Sequence, residues 1–237
     1  MMEEVITVIT GTSKGIGEYL AKYYLSKGHI VYGCSRTIPK WVDENTKNYF
    51  HYLLDVSDEK SVKKMFSDIR KKHGHLENLI NNAAMASMNH VLLFPLLKAE
   101  ELLKTNIIGS FIFCREASKL MKKNKCGRII NFTSGAVKLK IEGESIYAAS
   151  KSGIESFTQI IAKELGEFGI TANVICPGPV KTGLIAGVDS RKIEKNFLGQ
   201  QAIKRYCTFE DIVNVIDFYL KPESNFISGQ VIYLGGI

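Results

Sequence analysis

The chain has no apolar run long enough to span a bilayer, no leader-like segment ahead of its first strand pattern, and no Cys-x-x-Cys pair. The first two absences exclude a membrane-resident protein and lead to the expectation of a cytoplasmic one. Its five cysteines, Cys34, Cys114, Cys126, Cys176 and Cys207, are odd in number and scattered. They read as free or buried thiols in a reducing compartment, not as a disulfide framework. His73 and His75 read as part of a polar loop, so no metal is expected. There is no internal repeat and no low-complexity tract. A nucleic-acid stripe is also missing: the net charge is +7, but basic blocks such as Lys122-Lys123-Asn124-Lys125 are short and separated by acids. The positive field would instead favour the approach of an anionic cofactor or substrate.

What is present is an ordinary globular composition, 45% hydrophobic and 23% charged over 237 residues, read as one domain covering 1–237. Short runs rich in Val, Ile and Leu lie at 5–10, 30–34, 51–54, 76–81, 128–133, 171–176 and 231–234. Helical patterns fall between them, at about 15–27, 58–72, 99–123, 145–167 and 208–220. The alternation predicts an α/β fold: a Rossmann-type doubly wound parallel sheet of about seven strands with helices on both faces. Residues from about 183 to 200 carry Gly183, Gly187 and Gly199 without a strand signal, and are expected to form a mobile substrate segment.

Polar or glycine motifs recur just past the strand ends, where open parallel sheets bind ligands. After the first strand comes Thr10-Gly11-Thr12-Ser13-Lys14-Gly15-Ile16-Gly17. Glycines there let backbone approach a pyrophosphate, and the helix start offers unpaired N–H groups. The spacing departs from Gly-x-Gly-x-x-Gly, and two other readings stand beside a dinucleotide site. One is a plain turn; the other is a Gly-x-Ser-x-Gly nucleophile elbow built on Ser13. The second strand ends in Ser35-Arg36, with no acid to hold a ribose 2′-hydroxyl. Arg36, with Lys14, suits a 2′-phosphate and predicts NADP(H) over NAD(H).

Tyr147-Ala-Ala-Ser-Lys151 places a phenol and an ammonium on one helix face. A nearby ammonium is expected to lower the phenol's pKa, fitting it to exchange a proton with a developing alkoxide. Tyr23 and Lys27 share the spacing but have no upstream partner. Tyr147 does: Ser134 ends the fifth strand thirteen residues earlier.

By these motifs the chain resembles the short-chain dehydrogenase/reductase family along essentially its whole length. The matching motifs are Thr10-Gly11-x-x-x-Gly15-Ile16-Gly17, Leu54-Asp55-Val56, Asn81-Asn82-Ala83 and Lys104-Thr105-Asn106. They continue through Ser134, Tyr147-x-x-x-Lys151, Asn173-x-x-x-Pro177-Gly178 and Ser228-Gly229-Gln230. The resemblance implies hydride transfer between nicotinamide C4 and a carbonyl or alcohol carbon. It implies Tyr147 as acid/base, Lys151 on the nicotinamide ribose, Ser134 on the carbonyl, and Asn106 holding a water that leads protons to Lys151. It further implies Asp55 and Val56 at the adenine, Asn82 and Ala83 at the ribose, Val180 and Thr182 at the carboxamide, and Pro177 and Gly178 among the cofactor-binding residues. A non-catalytic dinucleotide sensor is the reading that would dispense with Tyr147 and Lys151, both of which are present.

The nearest general look is to 3-oxoacyl-acyl-carrier-protein reductases, which makes an acyl thioester or an acyl carrier protein a candidate partner. Arg128 suits an acidic carrier, but a second family arginine is replaced by Phe168. Ala84 stands where the family often has glycine, and the usual acid is missing ahead of Gly235-Gly236. The pocket is expected from Met85, Met88, Ala136, Val137, Gly178, Leu184, Ile185 and Phe197, with Lys138, Lys140 and Lys192 at its rim. Phe111, Phe113, Phe157 and Ile161 on two long helices, with the resemblance, imply a homotetramer or homodimer.

Overall fold

The computed structural model describes residues 4–183 and 197–237. Seven strands form one sheet in the order β3-β2-β1-β4-β5-β6-β7. They are β1 (Ile6–Thr10), β2 (Ile30–Ser35), β3 (Tyr49–Leu53), β4 (Asn78–Asn81), β5 (Gly127–Phe132), β6 (Ile170–Cys176) and β7 (Val231–Tyr233). Every neighbouring pair is parallel. The central strands β1, β2, β4, β5 and β6 are buried at every residue, which is why they read as continuous apolar runs and not as alternating ones.

Helices cover both faces. α2 (Glu59–Lys72), α4 (Ser110–Met121) and α6 (Ser145–Leu165) bury Met65, Phe66, Phe113, Leu120 and Ile161 against Ile6, Val8 and Ile129. On the other face, α1 (Gly15–Ser26) and the last helix, α7 (Phe209–Leu220), bury Leu20, Tyr24, Ile212 and Tyr219 against Ile9, Ile80 and Ile175. Local signals fix the ends. Asp58 caps α2 through the Lys60 and Ser61 amides, and Thr208 and Asp211 form a reciprocal capping box on α7.

The chain runs outward from β1 to β3 in one direction and from β4 to β7 in the other, so the crossover crevice opens at the carboxyl ends of β1 and β4. Two departures from the expected elements lie beside that crevice. The helix expected at 99–123 begins earlier, as α3 (Leu96–Leu103) after Pro95, and passes through a π-helical turn, Lys104–Gly109, before α4. A short helix, α5 (Ala136–Leu139), follows β5 where none was expected. Most of the segment expected to be mobile, including Leu184, Ile185, Gly187 and Lys192, lies outside the described residues. Among the described residues no helix is long and apolar enough to cross a membrane.

Candidate active site

The glycine loop is shaped as a phosphate cradle. Gly11 and Gly15 take φ of 75° and 63°, conformations that a side chain resists. A Cβ on Gly11 would sit 3.0 Å from Ala83 Cα, and one on Gly17 would strike the Gly11 carbonyl. Asn82 Nδ2 donates to the Thr10 and Gly11 carbonyls at 3.0 and 3.2 Å, and the Ala83 amide donates to Thr10 Oγ1 at 2.9 Å. The loops after β1 and β4 are thus pinned together, with Lys14 at the N-cap of α1. The glycines thus serve the close approach of the two loops, and the α1 N-cap carries no side-chain bond, which leaves first-turn amides that would suit a pyrophosphate. The elbow reading of Ser13 gains nothing: the histidine tied into this loop's network, His51, bonds Tyr49 and Ser35 instead.

That network was not foreseen. Thr12 Oγ1 meets the Tyr49 hydroxyl at 2.7 Å, Tyr49 meets His51 Nδ1 at 2.9 Å, and His51 Nε2 meets Ser35 Oγ at 3.2 Å. Trp41 Nε1 donates to the Thr12 carbonyl at 2.9 Å and its ring lies against Tyr49. Burial pushes the Tyr49 phenol up and holds the His51 imidazole below its ordinary pKa, so both are neutral donors or acceptors here. Arg36 stands at the same edge but is not a lone cation: its Nη1 lies 3.7 Å from Glu101 Oε1 on α3. Both side chains are exposed, so this pair is weak and readily exchanged for a phosphate. Asp55 Oδ1 accepts from the amide and hydroxyl of Ser57, and Val56 is buried against Gly109.

Past β5 the residues expected to react converge. Tyr147 and Lys151 are both buried on α6, and Ser134 stands beside the Tyr147 hydroxyl. Lys151 Nζ donates to the Phe132 carbonyl at 2.9 Å. The expected lowering of the phenol by Lys151 is not what the protein's own groups produce. Burial pushes Tyr147 up to about 12, opposed by the neighbouring Ser134 hydroxyl and reinforced by Glu144. Burial also pulls Lys151 down to about 8, so its ammonium is itself poorly solvated.

Asn106 lies in the π-helical turn and is buried. Its Oδ1 accepts from the Met85 amide at 2.8 Å, and its Nδ2 donates to the Met85 carbonyl and Ser150 Oγ, both at 2.9 Å. The side chain therefore clamps the loop after β4 to α6. A π turn spends one extra residue to aim a side chain that a regular helix would misplace.

The cleft beside Tyr147 is lined by Ser134, Gly135, Met88, Pro177, Gly178, Val180, Thr182 and Phe197, as well as Ile16, Leu139 and Ile237. Several expected wall residues are elsewhere. Ala136 is turned inward by α5 into a small core with Leu102 and Tyr147, and Met85 packs against that core. Val137 is buried and leaves the wall to Leu139. Lys138 lies over the Tyr233 ring. Ala84 has no positive φ, so its Cβ brings no backbone strain. Glu144 and Gln201 line the cleft and were not anticipated. Among the described residues no cluster of three or more His, Cys, Asp or Glu side chains is placed to hold a metal.

A parallel sheet with a glycine cradle at its switch point, and a buried Tyr-Lys pair next to a serine, defines a nucleotide-dependent oxidoreductase. A family model described as enoyl-(acyl carrier protein) reductase matches residues 11–236. The chain belongs to the short-chain dehydrogenase/reductase family and is an oxidoreductase. It is 31% identical over 238 residues to the 3-oxoacyl-[acyl-carrier-protein] reductase FabG of Buchnera aphidicola subsp. Schizaphis graminum, covering 99% of this chain and 97% of that protein. Among solved structures, ElxO with NADP bound superposes with a TM-score of 0.88 at 29% identity, covering 98% of this chain and 97% of the other. A short-chain dehydrogenase from Leptospira borgpetersenii serovar Hardjo-bovis with bound NAD+ also gives 0.88, at 24% identity over 99% and 92%, and supports the fold alone.

Proposed function

We propose that this chain is an NADP(H)-dependent oxidoreductase of carbonyls and secondary alcohols, with Tyr147 as the general acid/base. One observation carries the reading: the Tyr147 hydroxyl stands beside Ser134 in an apolar cleft, one helical turn from the buried Lys151. A nicotinamide held against Val180 and Thr182 would supply or accept the hydride. Ser134 orients the substrate oxygen through its hydroxyl. Tyr147 gives its proton to that oxygen as negative charge develops, which a phenol at about 12 does without being ionised beforehand. Lys151 holds the ribose hydroxyls, and Asn106 keeps the Met85 loop and Ser150 in register beneath them.

The cofactor preference rests on Arg36 and Lys14 at the mouth of the cradle, with the NADP-bound relative in support. The test is consumption of NADPH and NADH with a panel of ketones and thioesters. NADPH is expected to give the higher kcat/KM, and Arg36→Asp to shift preference toward NADH by about tenfold or more. Equal use of both coenzymes by the wild type would overturn the preference. Absence of turnover with every carbonyl would overturn the activity.

A second reading, reduction of a 3-oxoacyl thioester, is favoured by the FabG relative. Against a carrier-protein dock, Arg128 is buried and its Nη1 is spent on the Gly127 carbonyl. Acetoacetyl pantetheine and acetoacetyl carrier protein, compared at equal concentration, separate thioester chemistry from carrier recognition. The proposed homo-oligomer rests on exposed Ile108, Phe111 and Ile160 on adjoining helices, since Phe113 and Ile161 are core residues. A monomer mass by light scattering would overturn it.

A further inference from the structure

At the far edge of the sheet from β7 runs a chain of polar side chains that the proposed chemistry does not use. It links Thr12, Tyr49, His51 and Ser35 through contacts of 2.7, 2.9 and 3.2 Å. Thr12, Tyr49 and Ser35 are buried. The chain starts on β3 and reaches the end of β1 by passing over Gly33 of β2, where a Cβ would strike both the Tyr49 hydroxyl and Thr12 Oγ1.

The direction of each bond follows from the Ser35 end. Ser35 Oγ donates to the Thr37 carbonyl at 2.7 Å, and a carbonyl can only accept, so the serine proton is spent there. Ser35 Oγ then accepts from His51 Nε2. A neutral imidazole with its proton on Nε2 leaves Nδ1 to accept from the Tyr49 hydroxyl, whose oxygen accepts from Thr12. Burial keeps the ring neutral against the pull of the Thr37 carbonyl. Ser35 therefore has no proton left for a phosphate oxygen.

What the chain braces is a turn between two cations. Ser35 and Thr37 flank Arg36, and Thr12 stands two residues before Lys14. Backbone ties the two loops at Cys34, whose carbonyl accepts from the Gly11 and Thr12 amides at 2.8 and 3.2 Å. The Tyr49–His51 chain extends that tie to the Ser35–Thr37 turn itself.

We infer that Tyr49 and His51 are positioning residues for cofactor selectivity: they hold the Arg36 turn against the glycine loop so that both cations meet one 2′-phosphate. This rests on the NADP(H) reading and names what holds its phosphate site in place. Adenosine and pyrophosphate need only the cradle. A 2′-phosphate, at a charge of about −1.5 to −2, needs Arg36 and Lys14 at a set spacing.

The test is calorimetric binding of 2′,5′-ADP and 5′-AMP to the free protein. The wild type is expected to bind 2′,5′-ADP the more tightly. His51→Leu is expected to weaken 2′,5′-ADP by about tenfold and 5′-AMP by less than about twofold. His51→Gln, which keeps a donor toward Ser35, is expected to recover most of that loss. Tyr49→Phe cuts the link to Thr12 but keeps a ring against Trp41. It is expected to weaken 2′,5′-ADP by about threefold, and it decides the question should His51→Leu not fold. In turnover these variants are expected to raise KM for NADPH more than they lower kcat. Nitrogen NMR of the free protein is expected to find the His51 proton on Nε2. Equal weakening of both nucleotides, undiminished 2′,5′-ADP binding, no recovery in His51→Gln, or a proton on Nδ1 would each overturn the inference and leave the NADP(H) reading standing. A wild type that binds the two nucleotides equally would overturn both.

Discussion

Two helices of this molecule carry a tyrosine four residues before a lysine, and only one pair faces the cleft. On α1 the Tyr23 hydroxyl donates to Asp217 Oδ2 at 2.6 Å, across to α7, while Lys27 closes the helix and lays its ammonium 5.2 Å over the Tyr23 ring. On α6 the Tyr147 hydroxyl stands by Ser134 at the cleft, and Lys151 reaches under the sheet edge to the Phe132 carbonyl. Both phenols are pushed up to about 12, for different reasons: the bond to Asp217 leads for Tyr23, burial for Tyr147. The spacing therefore supplies a shared helix face and nothing more. The chemistry comes from what the fold sets opposite that face, a packing helix with an acid in one case and the carboxyl end of β5 in the other.

The largest expected effect breaks the symmetry outright. Tyr147→Phe removes one oxygen and is expected to lower kcat by about 10²–10⁴-fold, the usual range for a lost acid/base. Tyr23→Phe removes the same atom from the same motif and is expected to leave kcat/KM within about twofold, as an outer-face change remote from the chemistry should. Steady-state rates with any accepted ketone decide it. Comparable losses in both variants would show that the motif acts through helix stability.

The lysines sharpen the contrast through pH. Lys151 has its folded pKa pulled from 10.5 to about 8 by burial, so below about 8 both folded and unfolded chains carry the charge and the fold bears its full desolvation cost. Between about 8 and 10.5 the unfolded chain binds the extra proton, so stability rises with pH across that window. Lys151→Met is thus expected to raise Tm at pH 7 while abolishing activity, and its advantage should shrink toward pH 10.5. Lys27→Met, on an exposed helix end, is expected to change stability by less than about 0.5 kcal/mol. Thermal melts of both variants from pH 7 to 10 provide the check. A gain from Lys151→Met that stays constant with pH would mean that packing, not charge, sets it.

Most of the frame was legible because fully buried parallel strands leave unbroken apolar runs, and because glycine, cap and strand-end motifs punctuate them. Tyr147, Lys151, Ser134 and the Gly11–Gly17 loop could be placed on the same grounds. What stayed hidden depended on single-residue geometry or on distant pairing. A π turn at Lys104–Gly109 inserts one residue into an unbroken helical pattern, and no 3.6-residue period records it. Ala136 and Val137 turn away from the cleft because α5 winds them inward. Tyr49 and His51 stand two apart on β3, a spacing that puts both on one strand face, and this was the one available signal for their reach to Thr12 and Ser35. Glu144 and Gln201 carry no sequence mark at all; only the fold brings them to the cleft.

The smallest effect tests the bland copy on its own terms. Asp217 receives two phenols, Tyr23 on Oδ2 at 2.6 Å and Tyr24 on Oδ1 at 2.9 Å, which ties α1 to α7 on the face away from α6. Tyr24 is 2% exposed, whereas Tyr23 is only half-buried. Water can replace the Tyr23 hydroxyl but not the Tyr24 one. Tyr23→Phe is therefore expected to cost about 1 kcal/mol, near the ordinary net worth of a hydrogen bond. Tyr24→Phe should cost more, toward about 2–3 kcal/mol, because it strips a buried, charge-assisted bond. Urea denaturation midpoints at constant m-value read both. If Tyr23→Phe proved the costlier, the α1–α7 clamp would run through the outer phenol, and the first copy of the motif would be a structural device in its own right.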